Sequence, residues 1–276
     1  MNTGARLNSI ELLSDLSMKI ATWNVNSLSV RLPQVLDWLA TNPTEVLALQ
    51  ELKLTDDKFP VAAFAEAGYQ AQWFGQKTYN GVALISKSVG VDVVKNIPGF
   101  EDDMSRVIAA TYPDGAGRTV RVIGAYFPNG QAPDSDKFVY KMRWLDALRD
   151  WVQSEMQKHP NLVLLGDYNI TFDELDMWDP VALAGTIHCT EAEREKLQAL
   201  IGLGLTDSFR LFEQPEKSYS WWDYREFAFR RNRGLRIDHI LISPALKARA
   251  SGCVIDRAPR KNERPSDHTP VVLTLD

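Results

Sequence analysis

Several short apolar runs in this sequence lead directly into residues that can bind a metal, orient a water or hold a phosphate. Ile20-Ala-Thr-Trp23 is followed by Asn24 and Asn26, Leu47-Ala-Leu-Gln50 by Glu51, Val122-Ile-Gly-Ala125 by Tyr126 and Asn129, and Leu162-Val-Leu-Leu-Gly166 by Asp167 and Asn169. Ile237 precedes Asp238, and Ser266 precedes Asp267 and His268 just ahead of the apolar run Val271–Leu275. Taken singly, an Asp after a strand is a turn former or helix cap, and a lone His a hydrogen-bonded structural residue. Carboxylates, amides, a phenol and an imidazole repeated at matched positions are not explained as caps. Hard oxygen ligands without a thiolate select Mg²⁺, with Mn²⁺ able to substitute. Asp and Asn partner a water and phosphate oxygens, and a His beside an Asp is held in one tautomer. The chemistry these residues share is metal-assisted hydrolysis of a phosphoester.

The elements that must position them read as short strands: Lys19–Trp23, Val46–Gln50, Gly81–Ser86, Val120–Tyr126, Leu162–Gly166, Ile237–Ile242 and Val271–Leu275. They are too short for helices and rich in Val, Ile and Leu, as buried strands are. Helical spacing links Leu32, Val35, Leu36 and Leu39, and again Phe138, Met142, Leu145, Leu148 and Val152. Thr190-Glu-Ala-Glu193 is a capping box whose helix is expected to stop near Gly202 or Gly204. Strands and helices mixed at irregular spacing fit two packed sheets with outer helices. The 276 residues are 45% apolar and 24% charged, which excludes disorder, collagen and coiled coil. No linker divides them, so residues 18–276 are expected to form one domain behind a flexible extension, residues 1–17. That extension lacks the basic start and apolar stretch of a secretory signal, and no run approaches the ~20 apolar residues of a membrane span. Two cysteines, Cys189 and Cys253, make neither a disulfide framework nor a zinc site, and His188-Cys189 reads as packing at a helix start. The cytoplasm is the expected location.

Trp23-Asn24-Val25-Asn26, Leu49-Gln50-Glu51, Asn80-Gly81-Val82-Ala83, Gly166-Asp167-Tyr168-Asn169, Arg236-Ile237-Asp238 and Ser266-Asp267-His268 together resemble, in order, the signature blocks of the exonuclease III family. These are the DNA-repair exonucleases and apurinic/apyrimidinic endonucleases of the endonuclease/exonuclease/phosphatase superfamily. The resemblance, running from about Lys19 to Leu275, implies a four-layered α/β sandwich: two packed mixed β-sheets flanked by helices, with the site at one end. By position it implies Glu51 as the main Mg²⁺ ligand, with Asn24 and Asp267 completing or supporting the metal site. Asp167 and Asn169, also in reach of the metal, would position or activate the water. His268, oriented by Asp238, would contact the scissile phosphate or take the proton, and Tyr126 would touch the phosphate or assist the leaving group. Which residue is the general base stays open.

The substrate is a separate question, because the superfamily also includes lipid and inositol phosphatases. The chain carries a net charge of −5, yet Arg225–Arg264 holds eleven Lys or Arg and four acids, a net of +7. A basic segment on an acidic protein fits a phosphate backbone. Tyr219-Ser-Trp-Trp-Asp-Tyr224 adds flat surfaces for a flipped sugar or a terminal base, although one of its tryptophans is expected in the core. The resemblance implies Trp221, Leu235 and Ile237 around a base-less deoxyribose, and Lys53, Lys77, Tyr79 and Asn129 on DNA. Two positions depart from it. Gln131 stands where some relatives insert an Arg, and the expected loop 176–185, with Trp178 and Leu183 as candidate wedges, is not the familiar version. The balance of endonuclease and exonuclease activity is therefore open. The expected protein is a Mg²⁺-dependent nuclease, a monomer, acting 5′ to abasic sites and at 3′ ends of abasic or nicked double-stranded DNA. Its rivals are another phosphoesterase of the same fold and a catalytically silent nucleic-acid-binding regulator.

Overall fold

The computed structural model describes residues 17–276; of the extension expected over 1–17, all but Ser17 lies outside the described residues. The chain runs β1 (Met18–Asn24), α1 (Leu28–Thr41), β2 (Val46–Gln50), α2 (Val61–Glu66), β3 (Gln70–Phe74), β4 (Val82–Ser86), β5 (Val91–Lys95), β6 (Val107–Pro113) and β7 (Thr119–Tyr126). It continues with α3 (Asp136–Lys158), β8 (Leu162–Asp167), α4 (Pro180–Leu183), α5 (Glu191–Ile201), β9 (Thr206–Asp207), β10 (Asp238–Ile242), α6 (Pro244–Lys247), β11 (Ala250–Ile255) and β12 (Val271–Leu275).

Two six-stranded mixed sheets result, ordered β11-β12-β1-β2-β4-β3 and β5-β6-β7-β8-β10-β9. Each has one parallel pair at its centre, β1–β2 and β7–β8, and α1 and α3 provide the crossovers that parallel pairing requires. Period-two alternation sorts the side chains. Val46 and Ala48, with Val163 and Leu165, enter the core between the sheets. Leu47 and Leu49 turn outward to Val35, Trp38 and Leu39 of α1. Leu162 and Leu164 turn outward to Trp144, Leu148 and Val152 of α3 and to Leu197 and Leu200 of α5. Burial on both faces explains why the central strands read as continuous apolar runs. Helix, sheet, sheet and helix make the four layers expected.

This topology gathers the chemistry. Parallel β1, β2, β7 and β8 end together, and β10, antiparallel to β8, begins where β8 ends, with Asp238 opposite Asp167. Tyr126 pairs with Asp167 across β7–β8, and Asn24 with Gln50 across β1–β2. β12, antiparallel to β1, starts at the same end, so Asp267 and His268 arrive there too. Gly166 permits the approach: at its φ of 152° a Cβ would fall 1.8 Å from the Ala125 carbonyl oxygen. The segment 176–185, expected as a loop, contains α4, whose Asp179 cap accepts a hydrogen bond from the Ala182 N–H.

Candidate active site

The ends of β1 and β2 in one sheet and of β8 in the other meet at Asn24. Its Nδ2 donates to Glu51 Oε1 at 2.9 Å and to Asp167 Oδ2 at 2.8 Å, so one amide ties the sheets together at the site. Its Oδ1 accepts from the Asn26 N–H at 2.9 Å. In this arrangement Asn24 orients oxygen donors rather than supplying one. Asn26, the second amide of the Asn-Val-Asn motif, also joins the site. Asn26 Nδ2 donates to Asp267 Oδ1 at 2.9 Å, and its Oδ1 accepts from Lys53 Nζ at 2.6 Å. Lys53 also pairs with Glu51 Oε2 at 2.8 Å. Lys53, expected on DNA, therefore turns into the site.

The turns that aim these groups are strained. Asn26, Glu51, Lys53 and Asn169 all have φ between 44° and 55°, a left-handed conformation that non-glycine residues adopt at a cost. The Asn80-Gly81 motif helps hold one of them: the Lys53 N–H donates to the Asn80 carbonyl and the Leu52 N–H to that of Gly81.

His268, just ahead of β12, reaches across to the other sheet: its Nδ1 lies 2.9 and 3.1 Å from the two Asp238 oxygens, and its Nε2 lies 3.6 Å from Asp167 Oδ2. The Ser220 hydroxyl accepts the Asp238 N–H, fixing that carboxylate's backbone. Asp167 Oδ1 accepts the Asn169 N–H at 2.9 Å, and Asn169 Nδ2 donates to the Phe127 carbonyl. Asp267 Oδ2 accepts from Trp221 Nε1 at 3.0 Å. Tyr126 is half-buried with the Arg106 guanidinium 5.1 Å from its ring centre.

Charge and burial compete here. Burial pushes the Asp167 carboxyl up to about 7; the His268 charge pulls it down, while Asp238 and Glu51 add to the rise. Burial would lower the His268 pKa, but the Asp238 and Asp167 charges outweigh it and lift the ring to about 10. The carboxylates around His268 thus favour its imidazolium form. Burial opposes ionisation of Asp267, yet His268, Asn26 and Trp221 together hold its pKa below the usual value. Burial, then the charges of Glu51 and Asp167, raises the Tyr126 hydroxyl well above its ordinary range.

Among the described residues, Glu51, Asp167 and His268 are the group of acid, His or Cys donors close enough to share one ion, their atoms lying within 4.8 Å of one another. A protonated His268 cannot donate a lone pair, which leaves carboxylate oxygens backed by the Asn26 carbonyl. The Lys53 ammonium already takes Glu51 and Asn26 oxygens as partners, so the donor set fits a hard cation.

Beside His268, its ring centre 6.5 Å away, Trp221 joins Trp178, Leu183 and Leu235 in lining a cavity of about 370 Å³. Ile237 packs in the same apolar cluster with Met177 and Cys189, and Trp222 is the core tryptophan. Tyr79 and Asn129 line a second cavity, about 530 Å³, with Tyr126 and Gln131. Lys77 is exposed on the turn between β3 and β4. His188, read as packing, is buried at the edge of the site. Its Nδ1 donates to the Asn169 carbonyl at 2.7 Å, and Asn129 Nδ2 lies 3.5 Å from its Nε2. The basic segment proves mixed: Arg236 and Arg260 are interior, while Arg230 and Arg231 are exposed.

Residues 21–268 match the Endonuclease/Exonuclease/phosphatase family. The chain belongs to this family. Exodeoxyribonuclease III of Haemophilus influenzae is 34% identical over 92% of this chain and 98% of its own. Among solved structures, a 3′-5′ exonuclease (NExo) from Neisseria meningitidis is 52% identical with a TM-score of 0.90, covering 94% of this chain and all of its own. An AP endonuclease from Archaeoglobus fulgidus is 36% identical with a TM-score of 0.88, covering 94% and 99%. The family membership accounts for the two-sheet fold and for the end of the sheets at which the polar residues meet.

Proposed function

We propose that this protein is a DNA-repair nuclease, a metal-dependent phosphodiesterase that trims and unblocks 3′ ends of duplex DNA and incises 5′ to abasic sites. The observation that carries the chemistry is the Glu51–Asn24–Asp167–His268–Asp238 chain of contacts, which puts a high-pKa carboxylate beside a fixed imidazolium. The substrate class follows from the relatives, an exodeoxyribonuclease III and an AP endonuclease among them. The relatives at 51–52% identity are described as a 3′ phosphatase bound to a product DNA hairpin and a 3′-5′ exonuclease, which favours work at 3′ ends as the larger activity.

In this reading Asp167, which lies between Asn24 and His268 at the centre of the site, accepts the proton of the attacking water. His268, held charged by Asp238, faces the negative charge that develops on the phosphoryl oxygens. Asn24 keeps Glu51 and Asp167 at fixed separation. Trp221 and Leu235 cover the sugar of the nucleotide being removed, and Tyr126 and Asn129 contact the strand on the opposite side. A hard divalent cation, Mg²⁺ by the oxygen donors, held by Glu51 with Asp167, Asn26 and Asp267 around it, supplies Lewis-acid charge neutralisation when bound. We place the protein in the cytoplasm as a monomer; no described helix is long and apolar enough to cross a membrane.

The test uses labelled duplexes carrying a recessed 3′-hydroxyl, a 3′-phosphate or one internal abasic site, with Mg²⁺ or EDTA. Inositol phosphates and sphingomyelin serve as competing substrates. Mg²⁺-dependent turnover of the DNA, fastest at 3′ ends, is expected. Turnover of a competing substrate alone, or DNA binding without hydrolysis, would overturn the reading.

A further inference from the structure

A buried ion pair sits behind the site and is used by none of the chemistry above. Lys141 of α3 and Glu193 of α5 are fully buried, with Nζ 2.5 Å from Oε1. The ammonium's other partners are the backbone carbonyls of Asn169 at 2.8 Å and Asn129 at 3.2 Å, so its three donors have three acceptors. Glu193 Oε1 also accepts the His188 N–H at 3.1 Å, and Oε2 accepts the Thr190 N–H and hydroxyl at 3.1 and 2.7 Å. Gly130 lets the lysine stem pass: a Cβ there would meet Lys141 Cδ at 3.0 Å.

Three segments that share no secondary-structure element are thereby pinned to one point: the turn after β7, the turn after β8, and the turn entering α5. Their side chains meet on the cleft side. Asn129 Nδ2 lies 3.3 Å from Asn169 Oδ1 and 3.5 Å from His188 Nε2. Asn169 and His188 hold φ of 51° and 72°, conformations that persist only where surroundings over-determine them. A buried ion pair adds little net stability over a well-packed apolar pair. What apolar side chains could not do is hold two carbonyls and one N–H at set positions. We propose that Lys141–Glu193 is a positioning pair, which sets Asn129, Asn169 and His188 at working distances from the scissile phosphate. The proposal rests on the nuclease reading for its activity test.

Lys141→Met alone leaves a buried carboxylate, so Lys141→Met/Glu193→Gln, which removes both charges and keeps the cap on Thr190, is the second variant. Both are compared with Lys141→Arg and Asn169→Ala on a 3′-blocked duplex at saturating Mg²⁺, at a temperature where each is folded. The expected result is a fall in kcat approaching ~10²-fold, the cost of a misplacement near 1 Å, with KM changed less than ~3-fold. In the Asn169→Ala background the neutral pair should cost clearly less than it does in wild type, because the part of its effect that runs through Asn169 is already gone. Full multiplication of the two losses, or a kcat equal to wild type in the folded neutral-pair variant, would overturn the proposal. A readout without substrate keeps the two claims apart: the side-chain amide NMR signals of Asn129 and Asn169 should shift or broaden in the neutral-pair variant. If wild type cuts no DNA, the nuclease reading falls, while unchanged amide signals would sink the positioning pair.

Discussion

Two buried charge clusters lie within a few residues of each other in sequence and behave oppositely. In one, Asp167, Asp238 and Asp267 surround a single imidazolium, His268. In the other, Arg236 is bidentate on Asp176, at 2.7 and 3.0 Å, and pairs with Asp207 at 2.8 Å. Its Nη1 also reaches His239 Nδ1 at 3.1 Å, and His239 Nε2 donates to the Ile170 carbonyl at 2.8 Å. Arg210 adds a second cation on Asp176. Burial is nearly complete in both. Yet burial wins at Asp167, which is pushed up to about 7, whereas at Asp176 burial is outweighed by Arg236 and the carboxyl falls below its usual value. Matched partners make a strut, while an excess of one sign leaves a group ready to change its protonation. Depth in the fold does not distinguish a site from a scaffold; the local charge balance does.

The sharpest way to break this contrast is to make the same substitution in both clusters. Asp167→Asn should cost ~10²–10⁴-fold in turnover, the range of an acid–base contribution, with the melting temperature held or raised because a strained ionisable group is gone. Next in size, Asp238→Asn and His268→Asn should each lose about 10²-fold, and the double variant far less than the product, since the pair acts as a unit. Independent multiplication in the cycle would separate the two residues. Asp176→Asn should instead leave kcat per folded molecule near wild type and cost about 3–5 kcal/mol of stability, because Arg236 is then a buried cation short of a partner. Urea titration reads this directly, and a stable but inactive Asp176→Asn would erase the distinction.

Acidity separates the clusters more gently. Burial, then the Arg236 charge, lowers the His239 pKa from 6.5 to about 4. Below pH 6.5 the unfolded chain takes up a proton that folded His239 refuses, so stability is full above that pH and is lost as pH falls toward 4. His239→Gln should flatten this part of the urea-midpoint curve between pH 7 and 5; an unchanged slope would show that the ring contributes nothing there. The smallest effect concerns exposed charge. Neutralising Arg230, Arg231 and Arg233 should reduce the salt dependence of DNA binding by ~0.9 in log–log slope for each DNA phosphate that these side chains neutralise. Filter binding at graded salt measures it, and an intact slope would mark these arginines as a solvated face.

Legibility followed packing. Val46–Gln50 and Val271–Leu275 were readable to the residue because burial on both faces writes a continuous apolar run. β5 was not, since most of Val91–Lys95 faces solvent, and β11 begins with small and polar residues that carry no strand signal. Glu51, Asp167 and His268 stood out because they follow or precede strong strands. The inward turn of Lys53 and the placement of His188 did not, because each depends on a left-handed turn held by distant backbone groups. Thr190–Glu193 was legible as a cap, but the second task of Glu193, receiving Lys141 from 52 residues away, is purely tertiary.

The hydrogen bond from Asn26 to Asp267 joins residues 241 positions apart, and the Ser266 hydroxyl reaches back 242 to the Asn24 carbonyl. Synthesis delivers these partners in order, first residues early and last residues late. A ribosome that has made two hundred residues therefore carries Asn24, Glu51 and Asp167 but neither Asp238 nor the Asp267-His268 pair. A nascent chain of that length holds only part of the site. A chain ending before that point lacks β12 beside β1 and the imidazole of the site, so the last residues made are the ones that complete it.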